Sequence, residues 1–306
     1  MTREELNHDK QKKIADEAYR EQRKKMVIFI LKTIALLIAA FILFYLYNTY
    51  ISTSKIIVKE KRIVNKKIPQ NFDGVKVIQF SDLHYGSNIF LNDLEHVVNL
   101  INSRNPDLVV FTGDLVEPSY NLKDNEREKI VKLLSNINAS LGKYAISGDE
   151  DSDDLASIFN QSNFVFLDNS YDLIFKGNDN PILIVGNSSM LKKKNDINKA
   201  YSYFDDDTNN KDIYTISLIH EPDLAVQILD KYKSDLILAG HSHNGNVGIP
   251  YFKNLIKIDG AKSYYDSFYK IKGSDLYISS GIGTNGAGIR IMCQPNINFF
   301  RLSSAK

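Results

Sequence analysis

The sequence predicts an α/β domain behind one N-terminal transmembrane helix. Three observations carry that prediction. An apolar run of 25 residues, Met26 to Tyr50, lies close to the N-terminus. From residue 72 onward, short apolar strands alternate with amphipathic helical segments. Histidines and carboxylates stand just after several of those strands.

Residues 1–25 form a mixed-charge leader with no long apolar stretch, read as a frayed helix at most and given no fold. Residues 26–50, MVIFILKTIALLIAAFILFYLYNTY, carry a single charge, Lys32. About 20 apolar residues suffice to cross the hydrocarbon core of a bilayer. Lys32 sits near one end, where its stem can reach the headgroups, and Tyr45, Tyr47 and Tyr50 suit an interfacial belt at the other. The run is too long for a buried helix of a soluble domain, and no A-x-A site follows it to mark a cleaved signal peptide. The leader carries eight Lys/Arg and residues 51–70 carry six. The positive-inside rule therefore favours a cytoplasmic N-terminus by a small margin, with the C-terminal domain outside the cytoplasm as a single-pass cell-membrane protein.

Residues 51–71 are a linker holding a first strand, Ile56 to Val64. The domain proper is expected over 72–306. Val75 to Phe80 reads as a strand, then a helix around Leu91 to Ile101. Leu108 to Phe111 is a strand, then a helix around Glu126 to Leu134. Lys143 to Ile146 is a strand, then a short helix near Leu155. This βαβαβ rhythm is the signature of a partly parallel sheet covered by helices. Further strands are expected at Ile182 to Val185, Ile213 to Ile219, Leu236 to Leu238, Leu276 to Ser279 and Ile297 to Leu302, with fewer helices between them.

Composition narrows the function classes. The 306 residues are 43% hydrophobic and 25% charged, ordinary for a globular chain. The net charge of +1 supplies no global field toward nucleic acid, and none is expected as a partner. One cysteine, Cys293, excludes an intrachain disulfide framework. Four of the six histidines sit in short Gly/Asp-flanked stretches.

Those stretches carry the chemistry. Asp82 and His84 (SDLH) follow the first strand of the domain. At i and i+2 of an extended chain they would point the same way and could offer an oxygen and a nitrogen to one ion; alone, the pair also fits a turn aspartate and a surface histidine. Asp114 (TGD) ends the next strand, where open α/β sheets gather ligands, and its two oxygens can bridge two ions. Asp149, Glu150 and Asp151 (SGDED) end the third, and three adjacent carboxylates repel one another without a cation. His220 (LIHEP) ends a later strand. His241 and His243 (AGHSHNG) follow the buried strand Leu236 to Leu238 and can each face a different ion. Mixed nitrogen and oxygen ligation suits Mn, Fe, Zn or Ni more than Ca or Mg. Two ions roughly 3.5–4 Å apart can clamp a phosphate and activate water for an in-line displacement.

In this order the motifs resemble the calcineurin-like metallophosphoesterases, and among them the membrane-anchored bacterial branch. The stretches are VKVIQFSDLHYG, LVVFTGDLVE, YAISGDED, ISLIHEPD, LAGHSHNGNVGIP and ISSGIGTNGAGIR, spanning Val75 to Arg290. The resemblance implies a four-layer α/β/β/α sandwich and hydrolysis of a phosphomonoester, phosphodiester or pyrophosphate. It also implies two divalent or trivalent metal ions, manganese among the candidates. Asp82, His84 and His243 would hold the first ion, and Asp149, His220 and His241 the second. Asp114 would bridge both, with a hydroxide between them as nucleophile. The anchor adds the expectation of a lipid or cell-envelope substrate.

The chain departs from the family where G-N-H-[DE] is usual and Gly148-Asp149-Glu150-Asp151 stands. Asp149 keeps an oxygen ligand. Glu150 replaces the histidine taken to protonate the leaving group, and a carboxylate can do so only when protonated. Catalytic roles are therefore expected at Asp114 and Glu150. The alternative is a catalytically impaired metal-binding module acting through a ligand or partner. His96 and His8 carry no role. The resemblance places the segment of Gly281, Gly283, Gly286 and Gly288 beside the site; by itself it also fits a tight inter-strand turn, and it is not a P-loop, since no G-K-[ST] follows. Arg290 can pair with a phosphate or with an internal carboxylate, and the carboxylate is the expectation.

Overall fold

A computed structural model of the chain describes residues 3–48, 55–177, 180–243, 258–284, 290 and 293–305. The chain divides into two units, Met1–Tyr50 and Ile51–Lys306.

The first unit is one helix, α1 (Arg3–Leu46). Where the sequence offered no fold for residues 1–25, residues 3–46, from the charged leader into the apolar run, form a single continuous helix. The physical reason is composition. The leader is built from Glu, Lys, Arg, Gln and Ala, all good helix formers, and holds neither Gly nor Pro to interrupt it. Phe29, Leu36, Leu37 and Phe41 are exposed along it, and the helix is long and apolar enough to cross a membrane.

The second unit holds two six-stranded sheets. In the first, β2 (Lys76–Phe80), β3 (Leu108–Thr112), β4 (Lys143–Ile146) and β5 (Val165–Phe166) run parallel. β12 (Asn296–Ser304) lies antiparallel to β2, and β1 (Ile57–Asn65) pairs in parallel with β12 at the edge. The strand expected in the linker is thus an edge strand of the domain's own sheet. The order is β1-β12-β2-β3-β4-β5. In the second sheet, β7 (Ile182–Gly186), β8 (Thr215–Leu218), β9 (Leu236–Ala239) and β11 (Ser274–Ile278) run parallel. The antiparallel edges are β6 (Ser170–Ile174) and β10 (Phe268–Ile271), giving β10-β11-β9-β8-β7-β6.

Strand alternation makes the layers. Ile78, Val109 and Ala145 face the helices α2 (Leu91–Asn102), α3 (Asp124–Ser135) and α4 (Leu155–Gln161), packing on Val97, Ile101, Ile130 and Phe159. Their neighbours Val77, Val110 and Tyr144 face the other way, onto Ile184, Ile216 and Leu238 of the second sheet. That sheet's outer residues, Leu183, Val185 and Ile237, meet α5 (Ile197–Ala200) and α6 (Leu224–Lys231). Both faces of each sheet are covered, so the strands read as continuous apolar runs rather than alternating ones. The result is four layers, α/β/β/α. On α2 the spacing of Leu94, Val97, Val98 and Ile101 places all four in one buried stripe, each worth about 1.5–3 kcal/mol against exposure. Asp93 closes the start of that helix by accepting the N–H of Phe90 at 2.9 Å.

One polar link crosses the sandwich beneath the site. Gln79 of β2 donates to Thr112 Oγ1 (3.1 Å) and to the carbonyl of Ala239 on β9 (2.8 Å), and accepts from Asn298 Nδ2 of β12 (2.9 Å). A buried amide with these partners fixes the register of one sheet on the other.

Candidate metal centre

Every loop carrying the expected chemistry leaves the C-terminal end of a strand. Asp82 and His84 follow β2, Asp114 follows β3, and Asp149, Glu150 and Asp151 follow β4. On the second sheet His220 follows β8, and His241 and His243 follow β9. The loops meet across the sandwich in two groups, Asp114 with Asp149, His220 and His241, and Asp82 with His84 and His243, and a third cluster of possible ligands, His84 with Glu117 and Glu150, adjoins them. In the first group His220 Nε2 lies 3.2 Å from Asp114 Oδ2 and 3.0 Å from Asp149 Oδ1, and His241 Nδ1 lies 2.9 Å from the same Asp149 oxygen. In the second, His243 Nε2 is 3.2 Å from His84 Nε2 and 3.5 Å from Asp82 Oδ1. Asp114 Oδ2 is also 3.9 Å from His84 Nε2. All seven residues predicted as ligands come together.

The backbone that achieves this is not the extended one expected for Asp82 and His84. Asp82 (φ 51°), His84 (φ 43°), Asp114 (φ 60°), His241 (φ 67°) and His243 (φ 46°) all occupy the left-handed region. Such non-glycine residues are uncommon and concentrate where side chains must be aimed. The i, i+2 spacing therefore brings two ligands together through tight turns, not through strand pleating. Between them, Gly113 (φ 97°) must stay glycine, because a Cβ there would collide with the His220 ring and the backbone of Gly148.

Neighbouring groups orient the ligands. His220 Nδ1–H donates to the Thr112 carbonyl at 2.7 Å, which turns the Nε2 lone pair toward Asp114 and Asp149. His241 Nε2–H donates to the Asp259 carbonyl at 2.6 Å and frees Nδ1 for Asp149. Asp82 accepts the His241 backbone N–H at 2.9 Å and contacts the Ser81 hydroxyl.

Electrostatics follow from burial among unlike charges. Burial alone would lower the His220 pKa, but Asp114 and Asp149 outweigh it and raise it well above the imidazole range. His84 behaves alike, raised to about 9 by Glu150, Asp114 and Asp82 against burial. Asp149 is driven down by His220 and His241 in spite of burial. Asp82 is pushed up by burial and by Asp114, against the pull of His220 and His84. His243 is held neutral, far below the usual imidazole value, by burial and the adjacent Arg290 guanidinium.

A test of fit for metal lies in the buried polar atoms. His220 Nε2, Asp149 Oδ1, His84 Nδ1, Glu117 Oε2 and Glu150 Oε2 are all buried without a well-directed hydrogen bond. Five such atoms in one place are far from the rule for a folded interior, and they are donors of the kind that bind first-row divalent ions. The residues fit a metal centre.

Asp151 acts on the loops rather than in the groups. Its carboxylate accepts backbone N–H from Asp114 (2.8 Å), Leu115 (2.8 Å) and Gly148 (2.7 Å), tying the β3 and β4 loops together. Burial and Asp114 push its carboxyl up to about 6, against the pull of these three donors. Asp151→Ala strands three buried donors and is expected to cost roughly 3 kcal/mol or more of stability. Urea unfolding of the full chain in detergent measures it, and a loss under about 1 kcal/mol would contradict the brace.

Two residues differ from the sequence reading. Arg290, expected to pair with a carboxylate, instead donates to the carbonyls of Ser280 (2.5 Å) and Gly283 and sits 3.1 Å from His243 Nδ1. The turn around Gly281 and Gly283 brings backbone carbonyls close by, and they take the guanidinium. Gly281 and Gly283 do lie beside the site, with Gly281 packed against Asp82 and His243. Gly286 and Gly288 fall outside the described residues. Glu117, which sequence reasoning passed over, places Oε2 3.2 Å from His84 Nδ1, as does Glu150. Its signal was present in TGDLVE, three residues beyond Asp114, but a lone acid in a loop carries no spacing rule.

Residues 75–245 match the family model described as calcineurin-like phosphoesterase. An uncharacterized metallophosphoesterase of Bacillus subtilis (strain 168), YkuE, is 29% identical over 85% of this chain and 90% of its own length. The UDP-2,3-diacylglucosamine pyrophosphatase LpxG of Chlamydia muridarum is 26% identical over 90% of this chain and 98% of its own. A transmembrane protein with metallophosphoesterase domain from Danio rerio is 25% identical over 78% of this chain, which spans 56% of that longer protein. Motif order, two facing sheets and the family match over more than half of the residues agree: the chain belongs to the calcineurin-like phosphoesterases.

Proposed function

We propose that the domain is a phosphoesterase working with two metal ions, one held by Asp82, His84 and His243, the other by Asp149, His220 and His241, with Asp114 between them. One observation carries this reading: Asp114 Oδ2 faces a histidine of each group, His220 at 3.2 Å and His84 at 3.9 Å. When bound, such a pair of ions polarises phosphoryl oxygens and supplies a nucleophilic water. The chain's own part is to position and to move protons. Thr112 and Asp259 fix the rings of His220 and His241, and Asp114 Oδ1 accepts the Glu150 backbone N–H at 3.0 Å, holding that side chain beside His84. From there Glu150 carries the proton that the departing alcohol needs.

The substrate is a phosphate ester or pyrophosphate of a lipid or cell-envelope molecule. The apolar helix α1 supports this, as does a relative named for cleaving a pyrophosphate of a diacylated sugar nucleotide. The charge asymmetry about the apolar run supports a single pass with the domain outside the cytoplasm.

The full chain, purified in detergent, is expected to bind Mn²⁺ and to hydrolyse bis-p-nitrophenyl phosphate, with activity lost on chelation and restored by metal. Turnover that persists unchanged after exhaustive chelation would reject the reading, as would a chain that binds no metal.

A further inference from the structure

Asp223 stands immediately before α6, three residues beyond His220, where an aspartate ordinarily caps the helix that follows. Here its side chain makes no hydrogen bond to the first turn of α6. Both carboxylate oxygens go instead to the loop of residues 259–265. Oδ2 accepts the backbone N–H of Lys262 at 2.7 Å, and Oδ1 accepts those of Ser263 (3.0 Å) and Tyr264 (3.1 Å). The Asp223 N–H returns the contact by donating to the Gly260 carbonyl at 2.9 Å. Hydrogen bonds to an ionised acceptor are stronger than neutral ones, so one half-buried carboxylate with three of them is a firm tie.

The loop held in this way is the one that orients His241. Asp259, three residues before Lys262, accepts His241 Nε2–H at 2.6 Å. Tyr265, just after Tyr264, accepts the Ser242 hydroxyl at 3.1 Å. The His241-Ser242 turn is therefore gripped at two points, and Asp223 holds the loop between them. A carbonyl can only accept, so the place of the Asp259 oxygen decides which ring nitrogen keeps the proton. It also decides where Nδ1 points, 2.9 Å from Asp149 Oδ1. Clearance here is small. A Cβ on Gly260 (φ 82°) would lie 2.8 Å from Glu221 Cγ and 3.3 Å from His241 Nε2.

We propose that Asp223 is a positioning residue for the second ion of the centre proposed above, on which the inference rests. By holding residues 262–264 it places the Asp259 carbonyl, and through that carbonyl His241. Its effect falls on one group, since the Asp259 carbonyl meets His241 and not Asp82, His84 or His243.

Calorimetric titration of Mn²⁺ into the metal-stripped full chain in detergent tests this. Asp223→Ala is expected to raise the Kd of one ion roughly 10–100-fold, the usual scale for a residue standing behind a ligand, and to leave the other unchanged. Gly260→Ala, which displaces the same loop from the Glu221 side, should do likewise. His241→Ala identifies the ion: it should remove the same site, and adding Asp223→Ala to it should change the remaining affinity no further. A carboxylate that merely stabilised the domain would weaken the remaining ion in both backgrounds. Asp223→Asn keeps an oxygen for Ser263 and Tyr264 and should fall between the alanine variant and the unaltered chain. Thermal unfolding of the chelated proteins checks folding, and if Asp223→Ala does not fold, Asp223→Asn and Gly260→Ala decide. Two Kd values unmoved by the variants, or an equal loss at both sites, overturn the positioning role and leave the centre standing. An unaltered chain that takes up fewer than two Mn²⁺ overturns the two-ion centre and the role with it.

Discussion

Asp114→Asn is expected to lower turnover of bis-p-nitrophenyl phosphate by on the order of 10³-fold or more, the equivalent of about 4 kcal/mol of transition-state stabilisation. Asp114 Oδ2 is the oxygen that faces both histidine groups, so removing its charge weakens both sites at once. Asparagine tolerates the left-handed backbone that Asp114 adopts at φ 60°, and Asp151 continues to hold the residue's N–H. The loop therefore keeps its course, and near-unchanged thermal unfolding of the chelated protein is the control. Metal bound per chain, measured after gel filtration, should fall from two toward one or none. Retention of activity within tenfold would show that Asp114 does not join the groups. Asp114→Ala should lose as much activity, with a further cost of about 1–2 kcal/mol for alanine in the left-handed region.

The second large effect belongs to Glu150. A positioned general acid is typically worth 10²–10⁴-fold, and Glu150→Gln removes the proton while keeping the size. Simple alkyl phosphates, whose alkoxides are poor leaving groups, should lose on the order of 10²–10⁴ in kcat. p-Nitrophenyl esters, whose leaving group departs as a stable anion, should lose under about tenfold, the small end of Brønsted behaviour. Glu150→His should restore most of the alkyl activity, since an imidazolium also carries a proton into that position. Equal losses on both substrate types would place Glu150 outside proton transfer. The split between leaving groups distinguishes this role from a simple failure to hold His84 in place.

Much of this centre could be read from the chain because its residue types are scarce and punctuated. Six histidines in 306 residues leave little to coincidence when four of them follow buried strands with a glycine or an acidic residue within two positions. The parallel strands β3 and β9 were legible for the same reason that they are buried: residues 108–111 and Leu236–Ala239 are unbroken apolar runs. The edges were harder. β5 has two residues and β6 alternates only partly buried positions, so neither makes a periodic signal. β1 pairs with β12 some 240 residues away, and no local pattern announces such a partner. The support of the site was largely hidden too. Glu117, the Arg290 contacts to the carbonyls of Ser280 and Gly283, and the Asp151 brace depend on loops that approach only after both sheets have packed. Short loop segments fix such contacts through backbone torsion, which composition does not encode.

Neither of the two groups that contain the seven predicted ligands belongs to one sheet. Asp114 and Asp149 come from the first and His220 and His241 from the second; Asp82 and His84 come from the first and His243 from the second. Whatever occupies these positions acts as a rivet through the sandwich. Its affinity adds to cohesion between the halves, by about 2.7 kcal/mol when the free ion stands at 100 times its dissociation constant. Loading the centre should therefore raise the melting temperature of the whole domain, not only order its loops, and neither sheet expressed alone should retain a complete set of ligands.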